Sequence, residues 1–128
     1  MQMHSPKKGL LLVAHGSRRT ASNLEVAQLA EQLQASLQAD FMLVKSAFLE
    51  LAEPSIPEGV AGCVAAGARS VVVLPYFLNS GRHVAEDIPA EIEKARQQLP
   101  DIEITLQSHI GALPEMHDLL LKAATARE

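Results

Sequence analysis

Two short segments concentrate the side chains that could do chemistry. One is His15-Gly16-Ser17-Arg18-Arg19, the other Phe77-Leu78-Asn79-Ser80-Gly81-Arg82-His83. Each holds a histidine, a glycine, a serine and an arginine, and Glu50, in Phe48-Leu49-Glu50, adds a carboxylate. Imidazole and carboxylate suit a borderline divalent metal without the closed cage that four thiolates impose. Imidazole can also take a proton, since its ordinary pKa of about 6.5 leaves neutral base at physiological pH. Arg18, Arg19 and Arg82 are candidate anchors for an anionic ligand, because guanidinium meets carboxylate in a two-bond fork. Ser17 and Ser80 can add hydrogen bonds, and Gly81 is grouped with them as a binding position.

Each residue also has a plainer reading. A histidine beside glycine at a strand end often only bonds backbone, and an arginine on the surface is commonly just solvated. Glu50 or Glu53 could cap a helix beginning near Ser55. Glu86 and Asp87 could relay metal or protons, or could be first-turn acids favoured by the helix dipole. His109 shares a strand end with no assigned role, His117 reads as a helix-surface residue, and His4 lies in a tail spanning residues 1–8. Cys63, among Val60, Val64 and Ala65, reads as a small core residue.

What must position these groups is legible as alternating periodicities. Gly9 to Ala14 is a continuous apolar run that stops at His15. Leu24, Ala27, Ala30, Leu33 and Leu37 then recur at helical steps, with Thr20 or Ser22 as the expected cap. Phe41 to Phe48 is the second strand, although Met42 to Ala47 is also compatible with a helix. A helix follows from Pro54 to Ala66, closed by Gly67. Ser70 to Tyr76 is the third strand. After the Phe77–His83 loop come a helix carrying Ile88, Ile92, Ala95 and Leu99, a strand at Ile102–Leu106, and a last helix over Pro114–Ala126. In that helix Met116, Leu120 and Ala123 share a face.

Strand and helix thus alternate four times, which predicts an α/β fold: a flavodoxin-like three-layer sandwich on a parallel sheet ordered 2-1-3-4, as one domain over residues 9–128. In that order the direction reverses between the first and third strands, where open parallel sheets bind ligands beyond their carboxyl ends. His15 and His83 flank that point, and Glu50 shares its rim.

Bulk properties agree and exclude alternatives. The chain has 128 residues, 48% hydrophobic and 3% aromatic, with no tryptophan, so aliphatic side chains must fill one compact core. A formal charge of −4 argues against nucleic acid. No apolar run approaches the roughly 20 residues that span a bilayer, and no targeting pattern is seen, so the expected setting is cytoplasmic, away from membranes. With one cysteine, an internal disulfide or a cysteine-held cluster is excluded.

The segments LLLVAHGSR (10–18), AFLELAEPSI (47–56) and VVLPYFLNSGRHVAEDIP (72–89) together resemble the short class II chelatases of the CbiX type. The resemblance runs from about Gly9 to Pro114. It implies a chelatase-like fold and insertion of cobalt or ferrous iron into sirohydrochlorin, for cobalamin or siroheme synthesis. It implies His15 and His83 as metal-binding and catalytic histidines, with Glu50 completing the site. It also implies a homodimer whose cleft lies between subunits, and no cofactor beyond the substrate metal. One departure is Leu113, where many relatives carry a histidine before the proline that is here Pro114.

Three other readings are weighed against this one. A non-catalytic metal-binding protein or metallochaperone would show the same histidine pair but has no need of three arginines beside it. A phosphoryl-transfer enzyme with a nucleophilic histidine would want an arginine where Ala14 stands. A receiver-like signalling domain would want acidic residues at the end of the first strand, and none is there.

Overall fold

A computed structural model of the chain describes residues 7–127; His4 lies outside them. The elements are β1 (Lys8–Ala14), α1 (Thr20–Ser36), β2 (Leu43–Phe48), α2 (Ile56–Ala65), β3 (Ser70–Pro75), α3 (Ile88–Gln98), β4 (Glu103–Leu106) and α4 (Glu115–Ala124). A π-helical turn, His83–Asp87, runs straight into α3, and a 3-10 turn, Ile110–Ala112, precedes α4. All strand pairs are parallel and the order is β2-β1-β3-β4, as the alternation predicts.

β1 is apolar on both faces because it is central and covered on both. Leu11 and Val13 point toward α2 and α3, packing with Val71, Val73, Ile56, Val60, Ile88 and Ile92. Leu10 and Leu12 point the other way, toward Ala30 of α1 and Val44. β2 lies at the sheet edge and carries Lys45 exposed at its middle, a charge that discourages pairing with another chain.

The boundaries differ from expectation in instructive places. α1 is capped by neither Thr20 nor Ser22: its N-cap is Arg19, which makes no side-chain cap bond. Upstream, Ser17 Oγ accepts from the Arg19 amide at 3.0 Å, and the Asn23 side chain closes on the Ser17 backbone at 3.0 and 2.7 Å. β2 begins at Leu43 and is a strand, not a helix; Phe41 instead packs against the α1 side of the core. α2 is capped by Ser55, whose hydroxyl accepts from the Glu58 amide while Glu58 answers the Ser55 amide, so neither Glu50 nor Glu53 is needed there. Gly67 ends α2 with φ +113°, and the amides of Gly67 and Ala68 close on Val64 and Cys63. Lys8, assigned by sequence to the tail, is the first residue of β1.

The fourth helix departs most. α4 has the expected apolar stripe, yet none of its residues is buried and Leu119, Leu120 and Leu121 are all more than half exposed.

Cys63 is fully buried between α2 and the sheet, as expected of a core residue. Burial pushes its thiol from the usual 9.0 to about 11, against a smaller opposing pull from Lys45. The folded thiol therefore stays protonated while the unfolded one ionises above about 9. Stability from this group is present below that pH and is lost between about 9 and about 11. Urea midpoints measured across this range should fall more steeply for the wild type than for Cys63→Ala.

Candidate metal centre

The β1–β2 ladder continues past the ends of both strands. Ala14 pairs with Phe48 as the last registered pair. Beyond it the Leu49 amide donates to the Ala14 carbonyl, and the Glu50 amide to the His15 carbonyl, both at 3.0 Å. His15 and Glu50 are thus neighbours by register, and their side chains meet, Nε2 to Oε2, at 3.0 Å. The loop bearing Glu50 is pinned shut where the Phe48 amide reaches the Pro54 carbonyl at 2.9 Å. Leu51 adopts φ +66° at its tip, a conformation a leucine takes only when its surroundings impose it.

Gly16 makes the approach possible. Its φ is +97°, and a Cβ there would stand 1.8 Å from the Glu50 carbonyl oxygen. A second glycine does the same for the other loop. A Cβ on Gly111 would lie 1.7 Å from the Leu78 carbonyl oxygen, and the Gly111 amide donates to the Phe77 carbonyl at 3.0 Å. His109, expected at this rim with no assigned role, is half-buried and leads into the 3-10 turn that carries this clamp.

His83 comes to the same place from β3. Its ring lies against that of His15 with centroids 4.7 Å apart and planes inclined at 68°. Its Nδ1 is 2.9 Å from Asp87 Oδ2, four residues on in the π-helical turn. Asp87, expected as a relay or a first-turn acid, is the hydrogen-bonding partner of His83. A carboxylate on Nδ1 fixes the tautomer and leaves Nε2 free for a metal or a proton.

The hydrogen bonds around His15 define its role. Nδ1 lies 3.0 Å from the Gly16 carbonyl, which can only accept, so Nδ1 carries a hydrogen. Nε2 faces the Glu50 carboxylate at 3.0 Å. An ion at about 2.1 Å from both atoms, an ordinary metal–ligand length, would subtend about 90° across their 3.0 Å separation. That angle suits adjacent positions on an octahedral ion. His15 and Glu50 are 40% and 53% exposed, which keeps their mutual attraction weak and cheaply exchanged. Among the described residues no three His, Cys, Asp or Glu side chains form a ready metal cage. The three expected ligands are together as a His15–Glu50 pair with the His83 ring alongside.

The expected ligand-binding residues ring this centre unevenly. Ser17 is committed to the turn through its contacts with Arg19 and Asn23. Arg18 and Arg19 are exposed, as are Ser80 and Gly81. Arg82 is exposed and 3.8 Å from Glu86. A shallow hollow of about 220 Å³ lined by Leu49, Glu50, Asp87, Ala90 and Glu91 adjoins the site, smaller than the roughly 300–1,000 Å³ of enclosed ligand pockets. Another cavity, of about 460 Å³, lies between α1 and Tyr76 and touches none of the three expected ligands. Ligand chemistry, not cavity size, locates this centre.

Fold and site define a parallel α/β domain that brings two histidines and a carboxylate together at the reversal point of its sheet. The chain belongs to the CbiX family, whose pattern it matches over residues 9–126. It is 36% identical over 119 residues to the chloroplastic sirohydrochlorin ferrochelatase of Arabidopsis thaliana, covering 93% of this chain and 50% of that one. It superimposes with a TM-score of 0.76 on a putative cobalamin biosynthesis CbiX protein from Marinobacter aquaeolei VT8, at 30% identity, covering 91% and 93%. The sirohydrochlorin chelatase SirB from Bacillus subtilis subspecies spizizenii, solved in complex with cobalt, gives a TM-score of 0.78 at 32% identity, covering 91% of this chain and 49% of that one. The chain spans half or less of the length of the first curated relatives it matches.

Two substitutions test the geometry. Gly16→Ala should lower stability by about 1–3 kcal/mol in thermal unfolding, because the added carbon has no room, and should weaken cobalt binding with it. Asp87→Ala should weaken cobalt binding by about 10–100-fold in a visible-absorbance titration, whereas Asp87→Asn, which keeps an acceptor for Nδ1–H, should lose less.

Proposed function

We propose that this chain inserts a divalent metal ion, cobalt or ferrous iron, into sirohydrochlorin, as its ferrochelatase and chelatase relatives are named for doing. The observation that carries the reading is the 3.0 Å contact of His15 with Glu50, with His83 packed against the same imidazole. Insertion exchanges two pyrrole N–H protons for one metal ion. Glu50 and His15 take the ion, and binding is coupled to proton release. His83, held by Asp87, stands next to that position as a third ligand or as acceptor of a pyrrole proton. Half-exposed ligands on an open rim suit an ion that must be handed on. Arg18, Arg19 and Arg82, with Ser17, Ser80 and Gly81, offer charge and hydrogen bonds to the anionic carboxylate edge of the macrocycle. No cofactor beyond the substrate metal enters this scheme. The rim is too open on one chain to enclose a tetrapyrrole, which supports a homodimer as the working unit.

The test is anaerobic mixing of the protein with sirohydrochlorin and Co²⁺ or Fe²⁺, followed by visible absorption. The wild type should accelerate insertion over buffer, and His15→Ala and His83→Ala should each lose at least about 100-fold of that acceleration. A protein that binds Co²⁺ yet leaves the insertion rate at the buffer value is a metal carrier instead.

A further inference from the structure

Two leucines of the rim stand in solvent where local physics gives them no reason to be. Leu51 follows Glu50 directly; it has φ +66° and is 51% exposed. That left-handed conformation is unfavourable for a residue with a Cβ, and glycine or asparagine is its usual occupant. Exposure also forfeits what burying a leucine side chain gains. Leu78, on the loop after β3, is 66% exposed, more than any other large apolar side chain among the described residues.

Both are held out by the two glycine contacts that shape the centre. The carbonyl that Gly16 lets approach belongs to the peptide joining Glu50 to Leu51. The backbone that Gly111 lets approach is that of Leu78 itself, at its carbonyl and Cα. The first loop is tied again where the Phe48 amide meets the Pro54 carbonyl, the second where the Gly111 amide meets the Phe77 carbonyl. Contacts between residues distant in sequence thus fix both leucines. They follow β2 and β3, the strands on either side of β1, and His15 follows β1 between them. Strands two apart in a sheet are separated by about 10 Å, a span that a flat ring bridges and a bare ion does not.

We propose that Leu51 and Leu78 seat the apolar face of the tetrapyrrole, one on each side of the metal centre, and so set the ring flat over His15, Glu50 and His83. The occupant follows from what surrounds the two leucines. Arg18, Arg19 and Arg82, all exposed in the same loops, suit a ligand with carboxylates at its edge, and the leucines suit one whose face is apolar. A planar tetrapyrrole with acidic side chains has both; a metal ion or a small anion has no use for leucine. A metal carrier would need no such seat. This deepens the proposed function and rests on that reading, because the ring must be the substrate for its seat to matter.

The experiment separates ring binding from metal binding. Metal-free sirohydrochlorin is titrated into the protein and followed by visible absorption, and Co²⁺ is titrated separately without the ring. Leu51→Asn, which accepts the left-handed backbone, and Leu78→Asn should each weaken sirohydrochlorin binding by about tenfold, and together by roughly 100-fold. Co²⁺ affinity should stay at the wild-type value, and thermal unfolding at or above it. Leu51→Met and Leu78→Met should keep most of the ring affinity. In turnover, KM for sirohydrochlorin should rise by more than kcat falls. Asparagine variants that bind the ring as the wild type does, or that lose Co²⁺ affinity in parallel, would overturn the seat. A change in their sedimentation would do so too, by placing the leucines between chains. A wild type that binds the ring through both leucines yet inserts no metal would leave the seat standing and overturn the chelatase reading.

Discussion

The closeness of the Gly16 backbone to the Glu50 carbonyl is the constraint on which the centre depends. It lets the hydrogen bonds between β1 and β2 run on past the last strand residues, so that His15 and Glu50 become cross-strand neighbours in a loop. Any side chain at Gly16 would push the two loops apart. Gly111 plays the matching part on the far side, fixing the β3 loop that leads to His83. The histidines are aimed by backbone contacts that two absent side chains permit.

Each imidazole has its own carboxylate, Glu50 for His15 and Asp87 for His83, and all four side chains are between 40% and 53% exposed. Solvent keeps such pairs weak. The π-helical turn contributes by placing Asp87 under His83 at the mouth of α3; turns of this kind recur where helices serve functional sites.

The sheet itself is built for two different surroundings. Its α2–α3 face is sealed by aliphatic side chains with almost no exposure, while the face beside α1 is closed over only half its width. Leu119, Leu120 and Leu121 along α4 are each more than half exposed.

Much of this was legible in the residues. The apolar run of β1, the helical spacing in α1, α2 and α3 and the strand at Val71–Leu74 follow from periodicity, because burial on a parallel sheet demands those patterns. Strand order predicts His15, His83 and Glu50 at one rim, and the resemblance among three segments gives them their expected roles. Other features were not legible because they depend on contacts between residues distant in sequence. The Ser55–Glu58 box needed only local spacing and could have been found, since Ser and Glu three apart before an apolar run signal it. The pairing of His83 with Asp87 had the right spacing but no means to exclude a plain dipole role. That Gly16 and Gly111 are required by carbonyls 34 and 33 residues away, at Glu50 and Leu78, no local pattern shows. The sequence alone determined which faces must be buried and which residues could bind a metal. Only the tertiary structure decided which of them touch, and that the apolar face of α4 finds no cover in its own chain, because both depend on where the loops are clamped.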